Sequence, residues 1–276
     1  MANLIALQMT STPDVTENLD HVEQQLARLT VNEPTLVVLP ECFACFGGGD
    51  KVLLSIAEPL GKGPIQSRLS HMAKQYGVWL VAGSMPLEGT HPDKFTASCL
   101  LINDAGERVT EYQKIHLFDV QVADNTKTYC ESKYTQAGST LVSVKNTPFG
   151  HLGLAICYDV RFPGLFQAMA EHQALDVIAL PAAFTQKTGE AHWQALIKAR
   201  AIENQCYLVA AGQTGIHANQ RQTHGHSCII SPWGETLAEI PQSVGAIDAQ
   251  LDPTIVNRIR RDMPVYSHNK FRSYLV

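Results

Sequence analysis

The chain has 276 residues, enough for one large domain or two small ones, and it can bury a substantial core. Its formal net charge of −5 comes without a sustained Lys/Arg cluster, so the electrostatic footprint of a nucleic-acid binder is missing and a small molecule is the expected partner. No segment approaches about 18 uninterrupted apolar residues, and MANLIALQMTSTPD lacks a positively charged leader region, which predicts a cytoplasmic protein without a membrane span. Seven cysteines, an odd number scattered through strand-like surroundings, read as reduced thiols rather than a disulfide framework.

From the N-terminus, NLIALQ (3 to 8) reads as a buried strand. Asp14 then offers an N-cap, with Glu17 three residues on, to a helix whose apolar stripe is Val15, Leu19, Val22, Leu26 and Leu29. TLVVL (35 to 39) is the next strand. A helix over 64 to 76 leads into strand 78 to 83, and strand 96 to 104 turns at Asp104-Ala-Gly106 into a hairpin partner. The second half alternates strand 151 to 157, helix 163 to 172, strand 176 to 180, helix 190 to 203 and strand 207 to 212. A hairpin turning at Pro232-Trp-Gly234 and a helix begun by Asp252-Pro253 close the pattern. No Pro/Gly/Ser-rich linker divides the halves, so 1–276 is expected to form a single α/β domain. Glycine and polar residues make 45 to 51, 84 to 94 and 215 to 224 the least ordered segments expected.

Three strand ends carry reactive side chains: Glu41 after VVLP, Lys114 after TEYQ and Cys157 after GLAI. Binding groups of α/β proteins cluster at carboxyl ends of strands. A cysteine attacks only as thiolate, a carboxylate can take its proton, and an ammonium can hold an oxyanion, so these three residue types together can run acyl transfer without a metal or other cofactor. Each also has a plain reading: a buried structural thiol, a surface carboxylate, a solvated lysine. Cys42-Phe-Ala-Cys45 has the spacing of half a zinc or redox site but no second half, and His224-Gly-His226 reads more simply as a structural pair than as ligands. Gly47-Gly48-Gly49 is no phosphate loop, since neither GxGxxG nor GK[ST] occurs. A catalytically silent scaffold protein is the rival class.

LPECF (39 to 43), YQKIHLFD (112 to 119) and GLAICYDVRFP (153 to 163) resemble, in order and spacing, the three motifs around the Glu-Lys-Cys triad of the nitrilase superfamily of carbon-nitrogen hydrolases, and the likeness spans nearly the whole chain. The resemblance implies an αββα sandwich that stacks as αββα-αββα in a homodimer. It implies Glu41 as general base, Lys114 as oxyanion stabiliser, Cys157 as nucleophile, and Glu131 in CESKYTQAG as a second glutamate. His116 is then motif scaffolding, and the backbone N–H of Tyr158 joins Lys114 at the oxyanion. Within the superfamily, IENQCYLVAAGQTGIHANQRQTHGHS resembles the deaminated glutathione amidases. The alternatives are omega-amidases acting on 2-oxoglutaramate, and carbamoylases or nitrilases. A 2-oxo acid end needs a cation, for which Arg161 is the candidate, with Phe184 and the Thr188 hydroxyl as companions. A salt bridge from Arg161 to Asp159 is the competing reading.

Overall fold

The computed structural model describes residues 1–124 and 126–276, with Asp50 described by its backbone. Two sheets form the centre. In the first, the strands run in the order Gly245–Leu251, Ala2–Gln8, Thr35–Val38, Trp79–Glu88, Phe95–Ile102, Arg108–Gln113, with the short Thr135–Gln136 beside Phe95–Ile102. In the second the order is Thr236–Ile240, Ser227–Ile230, Tyr207–Gly212, Val177–Ala182, Gly150–Leu154, Ser143–Thr147. Each sheet contains three mutually parallel strands (Ala2–Gln8, Thr35–Val38 and Trp79–Glu88; Gly150–Leu154, Val177–Ala182 and Tyr207–Gly212) flanked by antiparallel ones. Parallel neighbours need helical crossovers, and those helices supply the outer layers.

The period-2 alternation of the first sheet decides which face is which. Ile5, Leu7, Val37 and Leu39 pack with Leu19, Val22, Leu26, Leu69 and Met72 of helices Val15–Leu26 and Pro64–Tyr76. Leu4, Ala6, Leu36 and Val38 point the other way, into a core shared with Leu152, Leu154 and Ile178 of the second sheet. Trp193, Ile197 and Ala201 of helix Gln186–Asn204 cover the far side of that sheet. The expected αββα layering is the observed one.

Asp14 caps its helix as expected, accepting from the N–H groups of Thr16 (2.8 Å) and Glu17 (3.1 Å). Glu17 does not close the reciprocal box, because its carboxylate is taken by the Thr12 hydroxyl at 2.9 Å. Several elements differ from the sequence reading, among them helix Gln186–Asn204, which starts four residues before the expected 190. Strand Trp79–Glu88 runs through part of the segment expected to be loose, with Met85 to Glu88 pairing against Ser98 to Phe95. Strand Gly150–Leu154 stops short of Cys157, which opens a 3-10 turn, Cys157–Arg161. Helix Pro163–Met169 ends early, and Gly245–Leu251 is an additional strand that zips antiparallel onto Ala2–Gln8. Its burial alternates at every position, and Ile247, Ala249 and Leu251 alternate with Asp248 and Gln250, a period-2 signal that the sequence reading does not use.

The segment 215 to 224 is the largest departure. Thr214–Ile216 and Gln222–His224 pair as a hairpin, and its His217, Thr223 and His224 side chains are buried. His217 bridges the carbonyl of Ser11 (3.1 Å) and the Thr223 hydroxyl (2.8 Å), so the polar residues that suggest a loose loop are what pin it down.

Candidate active site

Glu41 follows strand Thr35–Val38, Lys114 follows Arg108–Gln113, and Cys157 lies just past Gly150–Leu154, so carboxyl ends of strands from both sheets converge. All three line one cavity of about 330 Å³. The Lys114 ammonium donates to Glu41 Oε1 at 2.7 Å and to both oxygens of Glu131, at 3.0 and 2.9 Å. Glu131 Oε2 also accepts from the Phe118 backbone N–H at 2.6 Å. A lysine only 2% exposed is thereby held by two carboxylates, the arrangement that makes a buried charge tolerable.

The electrostatics assign protonation states. Burial by itself lowers the Lys114 pKa, but Glu131 and Glu41 together hold it well above the ordinary lysine value, so it stays cationic. Burial by itself raises Glu41, and the adjacent Lys114 more than offsets this, leaving the carboxyl below its usual range. Glu131 goes the other way, raised by burial and by the charge of Glu41 despite its own bonds to Lys114. Burial and the Glu41 carboxylate push the Cys157 thiol well up, against the lowering effect of Lys114 and of a backbone hydrogen bond from Ala183. The resting sulfur is therefore a thiol beside a carboxylate that can take its proton.

Local geometry presents that thiol. Cys157 has φ 49°, a left-handed backbone that a non-glycine residue adopts at a cost of order 1–3 kcal/mol and keeps only where its surroundings enforce it. The fully buried Asp159 does the enforcing. Its carboxylate accepts from the Ile156 N–H (2.8 Å), the Tyr112 hydroxyl (2.7 Å) and the His116 N–H (3.2 Å), with His116 Nδ1 at 2.7 Å. Tyr112 and His116 flank Lys114, so one carboxylate ties the cysteine turn to the lysine strand end. His116 is held against Asp159 by its backbone N–H and its Nδ1. Asp159 is a residue the sequence reading considered only as a partner for Arg161, and Arg161 makes no ion pair with it.

Arg161 instead lies over the rings of Phe184 (5.2 Å) and Tyr158 (5.9 Å), with Nη1 3.3 Å from His192 Nδ1. Arg161, Tyr158, Phe184 and Thr188 all line the cavity, and the Thr188 hydroxyl is already paired with that of Thr185 at 2.8 Å. The sequence reading missed Arg221. The 214–224 hairpin carries it into the cavity, where its guanidinium lies 5.0 Å from the ring centres of both Phe46 and Tyr129 and donates to the Ala183 carbonyl at 3.0 Å. Only the weak alternation on either side of Asn219-Gln220 hints at this turn. Cys42 and Cys45 are free thiols, His224 and His226 stack at 4.4 Å, and among the described residues no cluster of His, Cys, Asp or Glu could hold a metal ion.

The carbon-nitrogen hydrolase family model matches residues 4–261. The chain is 43% identical over 276 residues to a deaminated glutathione amidase of Yersinia enterocolitica, covering 100% of this chain and 95% of that protein. It is 36% identical over 266 residues to the deaminated glutathione amidase of Homo sapiens, covering 95% and 80%. Among solved structures, the Caenorhabditis elegans NitFhit protein superposes with a TM-score of 0.86 at 33% identity, over 97% of this chain and 65% of that one. Nit3 of Saccharomyces cerevisiae, a member of branch 10 of the nitrilase superfamily, gives 0.86 at 26% identity over 98% and 97%. Motifs, layered fold and matched length agree: the chain belongs to the carbon-nitrogen hydrolase family and has the nitrilase-superfamily fold.

Proposed function

We propose that the enzyme is a deaminated glutathione amidase, cleaving the amide between a 2-oxoglutaryl group and the amine of Cys-Gly. The observation that carries the reading is the cluster of Glu41, Lys114 and Cys157 at a cavity that also presents Arg161 and Arg221, neither of which forms an ion pair among the described residues. The relatives named above support the choice of substrate over 2-oxoglutaramate, N-carbamoyl amino acids and nitriles.

In this mechanism Glu41 takes the Cys157 proton as the sulfur attacks the amide carbon. The carbonyl oxygen gains the electron pair and is held by the Lys114 ammonium and the Tyr158 backbone N–H. Collapse expels the amine, which receives the proton from Glu41, and leaves a 2-oxoglutaryl thioester. Glu41 then takes a proton from water, whose oxygen attacks the thioester. Collapse returns the thiol and releases 2-oxoglutarate. Glu131 keeps Lys114 oriented throughout. Arg161, over Phe184 and Tyr158, receives the carboxylate of the 2-oxo acid end, with Thr188 at the same wall. No cofactor enters these steps.

Seven free thiols suit a reducing cytoplasm. The reading also includes a homodimer, supported by an exposed apolar C-terminal segment in which Phe271 and Tyr274 are 80% and 81% exposed. The test is kcat/KM for deaminated glutathione, 2-oxoglutaramate and an N-carbamoyl amino acid, with 2-oxoglutarate and Cys-Gly quantified as products. Preference for the first supports the proposal; preference for 2-oxoglutaramate makes the enzyme an omega-amidase, and activity on the third alone rejects both.

A further inference from the structure

We infer that Arg221 is a specificity determinant of this site, the anchor for the carboxylate at the glycine end of the departing dipeptide. The inference rests on the proposed substrate and goes beyond it in naming what reads the second half of the molecule. Deaminated glutathione carries two carboxylates, one at the 2-oxo acid end and one on the glycine, whereas 2-oxoglutaramate carries only the first. The cavity presents two guanidinium groups, Arg161 and Arg221, and among the described residues neither forms an ion pair with a carboxylate.

Arg161 sits four residues from the nucleophile, on the turn that starts with it, a placement suited to the acyl half. Arg221 hangs from a different element. Its hairpin meets the glycine segment at Gly47, where an added Cβ would lie 3.1 Å from the Ala218 nitrogen, and Tyr129 of strand Thr128–Cys130, which pairs with Asp119–Gln121, forms the other side. Three separate chain segments thus frame Arg221. The rings of Phe46 and Tyr129 hold the planar group in place and shield it from water. One of its five donors is used, on the Ala183 carbonyl, and its Nε is buried without a partner. A buried donor left unsatisfied is costly, and a carboxylate arriving in the plane of the fork would satisfy it. Its charge also reaches the reaction centre, contributing to the lowering of Glu41.

The test is a cycle of two enzymes and two substrates: wild type and Arg221→Gln, each with deaminated glutathione and with its analogue whose glycine carboxylate is a carboxamide. Wild type should lose about 10- to 100-fold in kcat/KM on going to the carboxamide, the range for one hydrogen bond to a charged group. Arg221→Gln should lose a similar factor on the natural substrate, mostly through KM, and almost nothing more on the carboxamide. It should also lower the preference for deaminated glutathione over 2-oxoglutaramate. Arg221→Lys, which keeps the charge, should recover part of the loss, and it stands in if the glutamine variant does not fold. Equal wild-type rates on acid and carboxamide, or losses that multiply independently, overturn the inference while leaving the proposed activity intact. Failure of wild type to hydrolyse deaminated glutathione removes both.

Discussion

Lys114 carries the most electrostatic work in the site, touching Glu41 and Glu131 at once. Lys114→Met should cost roughly 10²- to 10³-fold in kcat, about 2.7–4 kcal/mol of barrier, the effect of deleting an oxyanion donor. It also leaves Glu41 and Glu131 without the cation they share, which raises both carboxyls and favours proton uptake by one of them. The measurement is steady-state kinetics with a parallel proton-uptake titration on folding-checked protein, and a wild-type kcat would show the lysine to be a bystander. The acid limb of the wild-type rate profile follows from Glu41. Its folded pKa is depressed, so the proposed base remains ionised as pH falls to the ordinary carboxylate value of 4.5 and is lost only below it. A pH profile of kcat/KM with its acid limb near 6 or above would contradict that assignment. The convergence of Glu41, Lys114 and Cys157 on one cavity is legible from three short motifs, because each residue has distinctive neighbours in the chain. The parts of Asp159 and Arg221 are not, since their importance comes from partners 43 to 47 residues away and from rings brought together by folding.

At the scale of elements, two short pieces decide whether those residues meet. The turn Cys157–Arg161 is tied to the lysine strand end through Asp159, so Asp159→Ala should loosen both at once. Leaving the Tyr112 hydroxyl and the Ile156 N–H without their acceptor costs about 1–3 kcal/mol for each unsatisfied group. Thermal denaturation should show the loss of stability, and slower alkylation of Cys157 should show that the thiol is no longer presented. The 214–224 hairpin rests on neutral histidines. Burial lowers His217 and His224 to about 4, aided by Arg221 in the first case and His226 in the second. The depressed values mean that their contribution is complete above the unfolded value near 6.5 and is lost as pH falls from there towards 4. Stability should therefore drop by up to about 1.4 kcal/mol per pH unit for each histidine in that window. His217→Gln should flatten the slope in a Tm-against-pH series; an unchanged slope would place the titration elsewhere. Composition suggests a loose loop here because glycine and polar residues cluster in it, and the long-range bonds to Ser11 and Phe184 that order it leave no local trace.

For the molecule as a whole, the layered α/β architecture follows from regular alternation of strands and helices; strand Gly245–Leu251 carries its own period-2 pattern, but its pairing onto Ala2–Gln8 at the other end of the chain leaves no local trace. That strand completes the first sheet, so the two ends of the sequence stabilise each other. The exposed Phe271 and Tyr274 near the C-terminus belong with the proposed pairing of two copies. Light scattering after size exclusion should give twice the chain mass, and Phe271→Ser together with Tyr274→Ser should shift the population towards monomer; a monomeric wild type at micromolar concentration would reject the pairing. Rapid acid quench during turnover followed by peptide mass spectrometry shows whether Cys157 carries the 2-oxoglutaryl group of deaminated glutathione as a thioester. A 2-oxoglutaryl adduct is expected on the peptide holding Cys157 and should be absent from Cys157→Ala. An adduct on another of the seven cysteines, or steady turnover by Cys157→Ala, would contradict this role of Cys157.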